Sequence, residues 1–154
     1  MLLHRIAKTK YIRDLSGEGA RRSGGRWNYK GVPVVYTADS AALATLETLV
    51  HLQLNFLPLN LSTIVLNLPD SLEISVVSSQ ELPSNWYSYP APKTLADIGN
   101  KWIEQQTSVA LSVPSAILPD SEDRNYILNP HHPDFRLISI VRVKPYTYDS
   151  RLMP

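Results

Sequence analysis

Five of the six glycines in this chain of 154 residues lie between Tyr11 and Gly31: Gly17, Gly19, Gly24, Gly25 and Gly31. Glycine weakens helix and strand interiors because it loses the most backbone freedom on ordering. The stretch therefore reads as one long loop, and a loop of about twenty residues in a compact domain usually carries function. Its last part, Gly24-Gly25-Arg26-Trp27-Asn28, leads into a β-rich run from Val32 to Thr37, with Pro33 near the strand entry. Asp39 or Ser40 then caps a helix that starts Ala41-Ala42-Leu43-Ala44 and reaches about Gln53. An arginine in a glycine-rich loop, Tyr36 on a short strand and Glu47 on a helix thus follow one another closely.

The rest of the chain supplies the layers around that loop. Leu2 to Ala7, Leu61 to Leu68, Val109 to Val113 and Leu137 to Val143 read as strands, and Leu72 to Val77 as a weaker one. Tyr126 to Asn129 is a short extended piece. Leu95, Ile98 and Trp102 stand at helical spacing and predict a second helix over Thr94 to Thr107. Ser79 to Pro92 is a Ser/Pro/aromatic loop, with Trp86, Tyr87 and Tyr89. Strands and helices do not alternate regularly, so the pattern predicts a single α+β domain rather than a doubly wound parallel sheet. The paired glycines are no dinucleotide fingerprint: they lack the three-glycine spacing and precede a strand.

Composition narrows the function classes. Apolar residues make up 44% and charged residues 19% of the chain, which suits a folded domain with part of its surface covered by a partner. There is no cysteine, hence neither disulfides nor thiolate chemistry. The N-terminus lacks the apolar core of a signal peptide, and no stretch reaches the length of a membrane span. These features predict a cytoplasmic protein of prokaryotic style. The net charge of +1 hides a basic first third with Arg5, Lys8, Lys10, Arg13, Arg21, Arg22, Arg26 and Lys30, opposed there only by Asp14 and Glu18. That cluster is either a solvated face or an anion-binding rim. A pI of about 8.0 is mild for a dedicated nucleic-acid binder.

Several side chains could carry chemistry. Arg26 offers a planar fork of donors matched to phosphate, and the glycines before it let backbone approach a ligand; it could equally pair a carboxylate across the loop. Leu43, Leu46, Val50 and Leu54 predict an apolar helix stripe, with Glu47 on its border. A carboxylate there either reaches solvent, pairs with His51, or lines a wet cleft. Tyr36 could stack on a base or belong to the core. Ser115 follows Val113-Pro114 without the flanking glycines of a nucleophile elbow, which rejects a serine hydrolase. Trp27 reads as a loop anchor. In Asn129-Pro130-His131-His132-Pro133-Asp134-Phe135 no histidine pair has zinc spacing, and turn chemistry accounts for the segment.

Together these motifs resemble the RES domain, the toxin of the RES–Xre class of bacterial toxin–antitoxin pairs. The similarity runs nearly end to end, through Ser16-Gly17-Glu18-Gly19-Ala20, Gly24-Gly25-Arg26-Trp27-Asn28, Val34-Val35-Tyr36-Thr37, Ala42-Leu43-Ala44-Thr45-Leu46-Glu47, Leu49-Val50-His51-Leu52, Val113-Pro114-Ser115, the segment from Asn129 to Phe135, and Tyr148-Asp149-Ser150-Arg151-Leu152. The arginine, glutamate and serine for which the family is named fall on Arg26, Glu47 and Ser115, with Ser112 close to the last. The resemblance implies Tyr36 as a further active-site member, and Asn28 and Asn129 as further contacts to NAD. It implies a fold like the ADP-ribosyltransferases and destruction of NAD, which is substrate rather than cofactor. It also implies an Xre-type antitoxin as partner, through which any DNA contact would run. A homodimer within that complex suits a compact, weakly charged domain. No cofactor or metal is expected. Rival expectations are ADP-ribosyl transfer to a macromolecule, a nucleic-acid-binding module without enzymatic activity, and a purely structural partner.

Overall fold

A computed structural model of the chain describes residues 1–52 and 58–152. Among them, seven strands and three helices follow in the order β1 (Leu2–Lys8), α1 (Glu18–Ser23), β2 (Val35–Ala38), α2 (Ala41–Leu49), β3 (Leu61–Asn67), β4 (Ile74–Val76), α3 (Lys93–Gln105), β5 (Ala110–Pro114), β6 (Arg124–Leu128) and β7 (Ser139–Tyr146), with short 3-10 turns between some of them. The strands form one sheet in the order β4-β5-β6-β2-β1-β3-β7. Only the β4–β5 pair is parallel; the others are antiparallel. The predicted α+β class is what the structure shows.

Residues directly opposite each other in paired strands share one face of the sheet. Tyr36 lies opposite Ile127, and Ile127 opposite Leu111; Ala38 lies opposite Asn125, and Asn125 opposite Val113. These two rows therefore look the same way. Over the first pack Trp27, Trp86, Leu95 and Trp102, burying α3 and the arginine loop against the sheet. Beside them Leu43 and Ala44 of α2 close on Ala38. The other face carries Leu3, Val35, Ile64, Leu66, Ala110 and Leu128, covered by Ile12 and, at the margin, Leu15, Phe135 and Ile138. Both helices that could frame a cleft thus sit on one side.

Three sequence expectations shift. The stretch from Tyr11 to Gly31 is not all loop: it contains α1, where Glu18 accepts hydrogen bonds from Arg21 at 2.6 and 2.8 Å and from Arg22 at 2.7 Å. Side-chain pairing one turn apart offsets the two glycines nearby. β2 starts at Val35 rather than Val32. The apolar stripe of α2 is shorter than its spacing suggests. Ser40 caps the helix by accepting from the Leu43 amide at 3.1 Å, and Leu43 is buried, but Val50 is 56% exposed. Only the first turns of α2 lie on the sheet; Gln53 and Leu54 fall outside the described residues.

Candidate active site

Glu47 stands in the last turns of α2, half-buried, on the side facing the sheet. Its Oε1 accepts a hydrogen bond from Ser115 Oγ at 2.9 Å. The same oxygen accepts from Asn125 Nδ2. Ser115 follows the end of β5 and Asn125 lies near the start of β6. The carboxylate is therefore tied to two strands rather than to its own helix. Oε2 takes no protein hydrogen bond among the described residues and is not sealed from solvent. It is the oxygen left for a ligand.

Arg26 is half-buried too. Its Nη1 donates to the backbone carbonyls of Trp86 at 2.8 Å and Ser88 at 3.0 Å. Among the described residues the other guanidinium nitrogens have no partner, which leaves donors for an anion. Burial lowers the pKa of Arg26, while the nearby Glu47 carboxylate acts to raise it. Arginine keeps its proton regardless. The Glu47 carboxylate thus acts on Arg26 through space, yet the two form no ion pair among the described residues. The two side chains are thus near each other without a direct ion pair.

Tyr36 forms the floor. Its hydroxyl donates to Asn28 Oδ1 at 2.7 Å and accepts from the Trp27 amide at 3.1 Å. Burial pushes its pKa far above the ordinary tyrosine range, so the phenol keeps its proton and is no general base. The loop lies directly on it: a Cβ added at Gly25 would come within 2.6 Å of the Tyr36 hydroxyl oxygen. The glycine before Arg26 is thus required by close approach. On the far side, Trp27 O sits against Gly99 of α3, where a Cβ would stand 1.8 Å away.

The structure sorts the remaining candidates. Arg26, Tyr36, Glu47 and Ser115 come together. Ser115 is fully buried and spends its hydroxyl on Glu47 while accepting from the Ile117 amide at 3.3 Å, so it holds the carboxylate and has no surface to offer NAD. Ser112 faces away and accepts from Arg124 Nε at 2.6 Å. Asn28 is 2% exposed, and its Nδ2 donates to the carbonyls of Ala20, Tyr29 and Val32. With Oδ1 taken by Tyr36, it braces the loop instead of touching a ligand. Asn129 lies beyond the opposite end of β6, four residues past Asn125, roughly 13 Å along the strand. It is 1% exposed and its Oδ1 accepts from the His131 amide. Its Nδ2 is buried without a hydrogen-bond partner among the described residues, whereas Asn28 has both ends of its amide engaged by protein. His51 is exposed and forms no ion pair with Glu47 among the described residues.

Asn125 and the carbonyls of Trp86 and Ser88 escaped the sequence reading. A lone asparagine in an apolar strand row was the available signal for the first. For the carbonyls there was none, since a backbone oxygen carries no residue identity. Half of the basic first third is engaged: Arg21 and Arg22 pair with Glu18, Arg5 donates to the Asp14 carbonyl, and Arg26 donates to the carbonyls of Trp86 and Ser88. Among the described residues no group of three His, Cys, Asp or Glu side chains is placed to hold a metal, and no helix is long and apolar enough to cross a membrane.

A one-sided arrangement of helices over a mixed sheet, framing a guanidinium and a carboxylate, defines an α+β class that has been solved before. A chain in the crystal structure of the M. tuberculosis MbcT–MbcA toxin–antitoxin complex has the same fold, with a TM-score of 0.77 over 95% of this chain and 84% of that one, at 18% identity. The RES domain family model matches residues 2–149, and the chain belongs to that family. It is 42% identical to the Prs ADP-ribosylating toxin of Sphingobium sp. (strain YBL2), across 96% of this chain and 91% of that one. It is 40% identical to Toxin Res of Yersinia enterocolitica, across 99% of both.

Proposed function

We propose that the chain is the toxin of a toxin–antitoxin pair and destroys NAD by breaking the bond between nicotinamide and ribose. The observation that carries the reading is the state of Glu47: among the described residues one oxygen is tied to the sheet and the other is open, near a guanidinium that keeps donors without a partner. Arg26 grips the diphosphate, which fixes the dinucleotide beside Glu47. Glu47 Oε2 accepts from the ribose hydroxyls and stabilises the positive charge that develops on the sugar. The N-glycosidic bond breaks with its electron pair leaving on nicotinamide, whose positively charged ring becomes neutral. Ordinary glycosidases need a second carboxyl to protonate the leaving group; a cationic leaving group does not. Water then adds at the sugar carbon and gives up a proton. Tyr36 and Asn28 keep the arginine loop in place below.

A second acceptor is favoured by a specific observation: the Sphingobium relative is named for ADP-ribosylation. The same bond breaks in that case, and a nucleophile other than water, inorganic phosphate or a macromolecular side chain, takes the sugar. An enzyme that consumes NAD in the cytoplasm needs a neutralising partner, so we assign it an antitoxin of the Xre type and a homodimer within the complex.

Glu47→Gln decides the reading. It keeps shape but removes the charge, and turnover of NAD should fall by about 10²- to 10³-fold, with NAD affinity within about threefold. Nicotinamide release by the purified chain measures it. Unchanged release from the Gln variant removes Glu47 from the chemistry. Product analysis with added phosphate, and mass spectrometry of proteins after expression, identify the acceptor.

A further inference from the structure

Asn125 stands between Ala38 and Val113 in a cross-strand row that continues to His4 on β1. An amide on an apolar sheet face costs free energy unless it is paired, and the partner here is the Glu47 carboxylate. Among the described residues Asn125 makes no other side-chain hydrogen bond. A carboxylate accepts only, so the amide must present its NH2 group, and its orientation is fixed. We propose that Asn125 is a positioning residue for this site: with Ser115 it locks Oε1 of Glu47, so that Oε2 alone faces the sugar of the bound dinucleotide.

The proposal rests on the reading of Glu47 given above and deepens it. A glutamate side chain has three rotatable bonds, and a helix-end glutamate at a half-buried position would otherwise sample several rotamers. Two donors from two different strands, 68 and 78 residues away in the chain, leave one. The two donors are not equivalent. Ser115 Oγ also accepts from the Ile117 amide, so its removal disturbs the turn after β5. Asn125 serves Glu47 alone. Its loss should therefore appear in catalysis more than in stability.

Steady-state nicotinamide release from NAD by the purified full-length chain tests this. Asn125→Ala should lower kcat about 10- to 100-fold and leave KM for NAD within about threefold, with little change in the thermal unfolding midpoint. Asn125→Asp has the same shape but puts a second carboxylate against Oε1, and should be at least as impaired. A packing role predicts the reverse order, with the isosteric variant the milder. In the Glu47→Gln background Asn125→Ala should cost no further activity. Wild-type kcat in either single variant, or an equal loss in the Gln background, overturns the proposal.

The contact itself has a readout independent of NAD. The side-chain NH2 resonances of Asn125 should shift on Glu47→Gln more than those of Asn28 or Asn129. If they do not move, the positioning contact is wrong whatever the activity. If they move while the wild-type chain releases no nicotinamide, the contact stands, the NAD reading falls, and the proposed role in sugar recognition falls with it. Should Asn125→Ala fail to fold, Asn125→Asp and the resonances still decide.

Discussion

At the scale of single residues, the site depends on how each polar atom is already occupied. Arg26 uses Nη1 for two carbonyls, and among the described residues its other donors have no partner. A lysine has no second nitrogen: once anchored to the loop its ammonium could not reach a diphosphate bidentately. Arg26→Lys should therefore weaken NAD binding about 10- to 100-fold, since each hydrogen bond to a charged group contributes about 1.5–3 kcal/mol; calorimetric titration of the inactive Glu47→Gln background measures it without turnover. Asn28 teaches the opposite lesson. Its place in the glycine motif suggests ligand contact, but its NH2 group is shared among three carbonyls and its oxygen accepts from Tyr36. A sequence names the amide and not its partners, so the residue types of the loop were legible while the role of Asn28 as a brace was not.

Elements show how local pattern and packing divide the work. α3 was legible from Leu95, Ile98 and Trp102, and two of those, Leu95 and Trp102, are buried as the spacing demands. What its sequence did not reveal is that Gly99 lets the helix touch the backbone of the arginine loop at Trp27. A methyl group there has no room, because its neighbour is a carbonyl that cannot rotate away. Gly99→Ala should destabilise the fold by about 3 kcal/mol or more, seen as a fall in Tm of roughly 6–12 °C, and should raise KM for NAD as Arg26 shifts with Trp27. Gly19 in α1 is the control: a Cβ there meets nothing within 4 Å. Its replacement by alanine should be neutral or stabilising by up to about 1 kcal/mol. Both glycines stand in helices, and only the facing element separates them.

For the molecule as a whole, the sheet is the frame on which every site residue is mounted. β6 lies between β5 and β2, and it carries Asn125 on the site face and Leu128 on the opposite one. Leu128 is fully buried, so Leu128→Ala should cost about 2–5 kcal/mol, read by urea unfolding. With Glu47, Ser115 and Asn125 all tied to this frame, activity should be lost in step with the global transition rather than before it. The molecule's charge also looks different as a whole than as a count. Of the basic residues of the first third, Arg21 and Arg22 pair with Glu18 and Arg5 donates to the Asp14 carbonyl, while Lys8, Lys10, Arg13 and Lys30 are exposed.

The chain's own order of residues determined the elements: alternating and β-branched runs made β1, β3, β5 and β7, Ser40 started α2, and the glycines before Arg26 allowed the loop to approach Tyr36. Those outcomes follow from backbone preferences and from spacing within a few residues, which any stretch carries by itself. Only the tertiary structure decided that Ser115 and Asn125 meet on one oxygen of Glu47, that Ser112 turns the other way, and that the aromatic loop serves Arg26 with its carbonyls. These contacts join residues 60 to 78 positions apart. Their partners are chosen by sheet register and helix docking, which act between segments and leave no period in the sequence of either one.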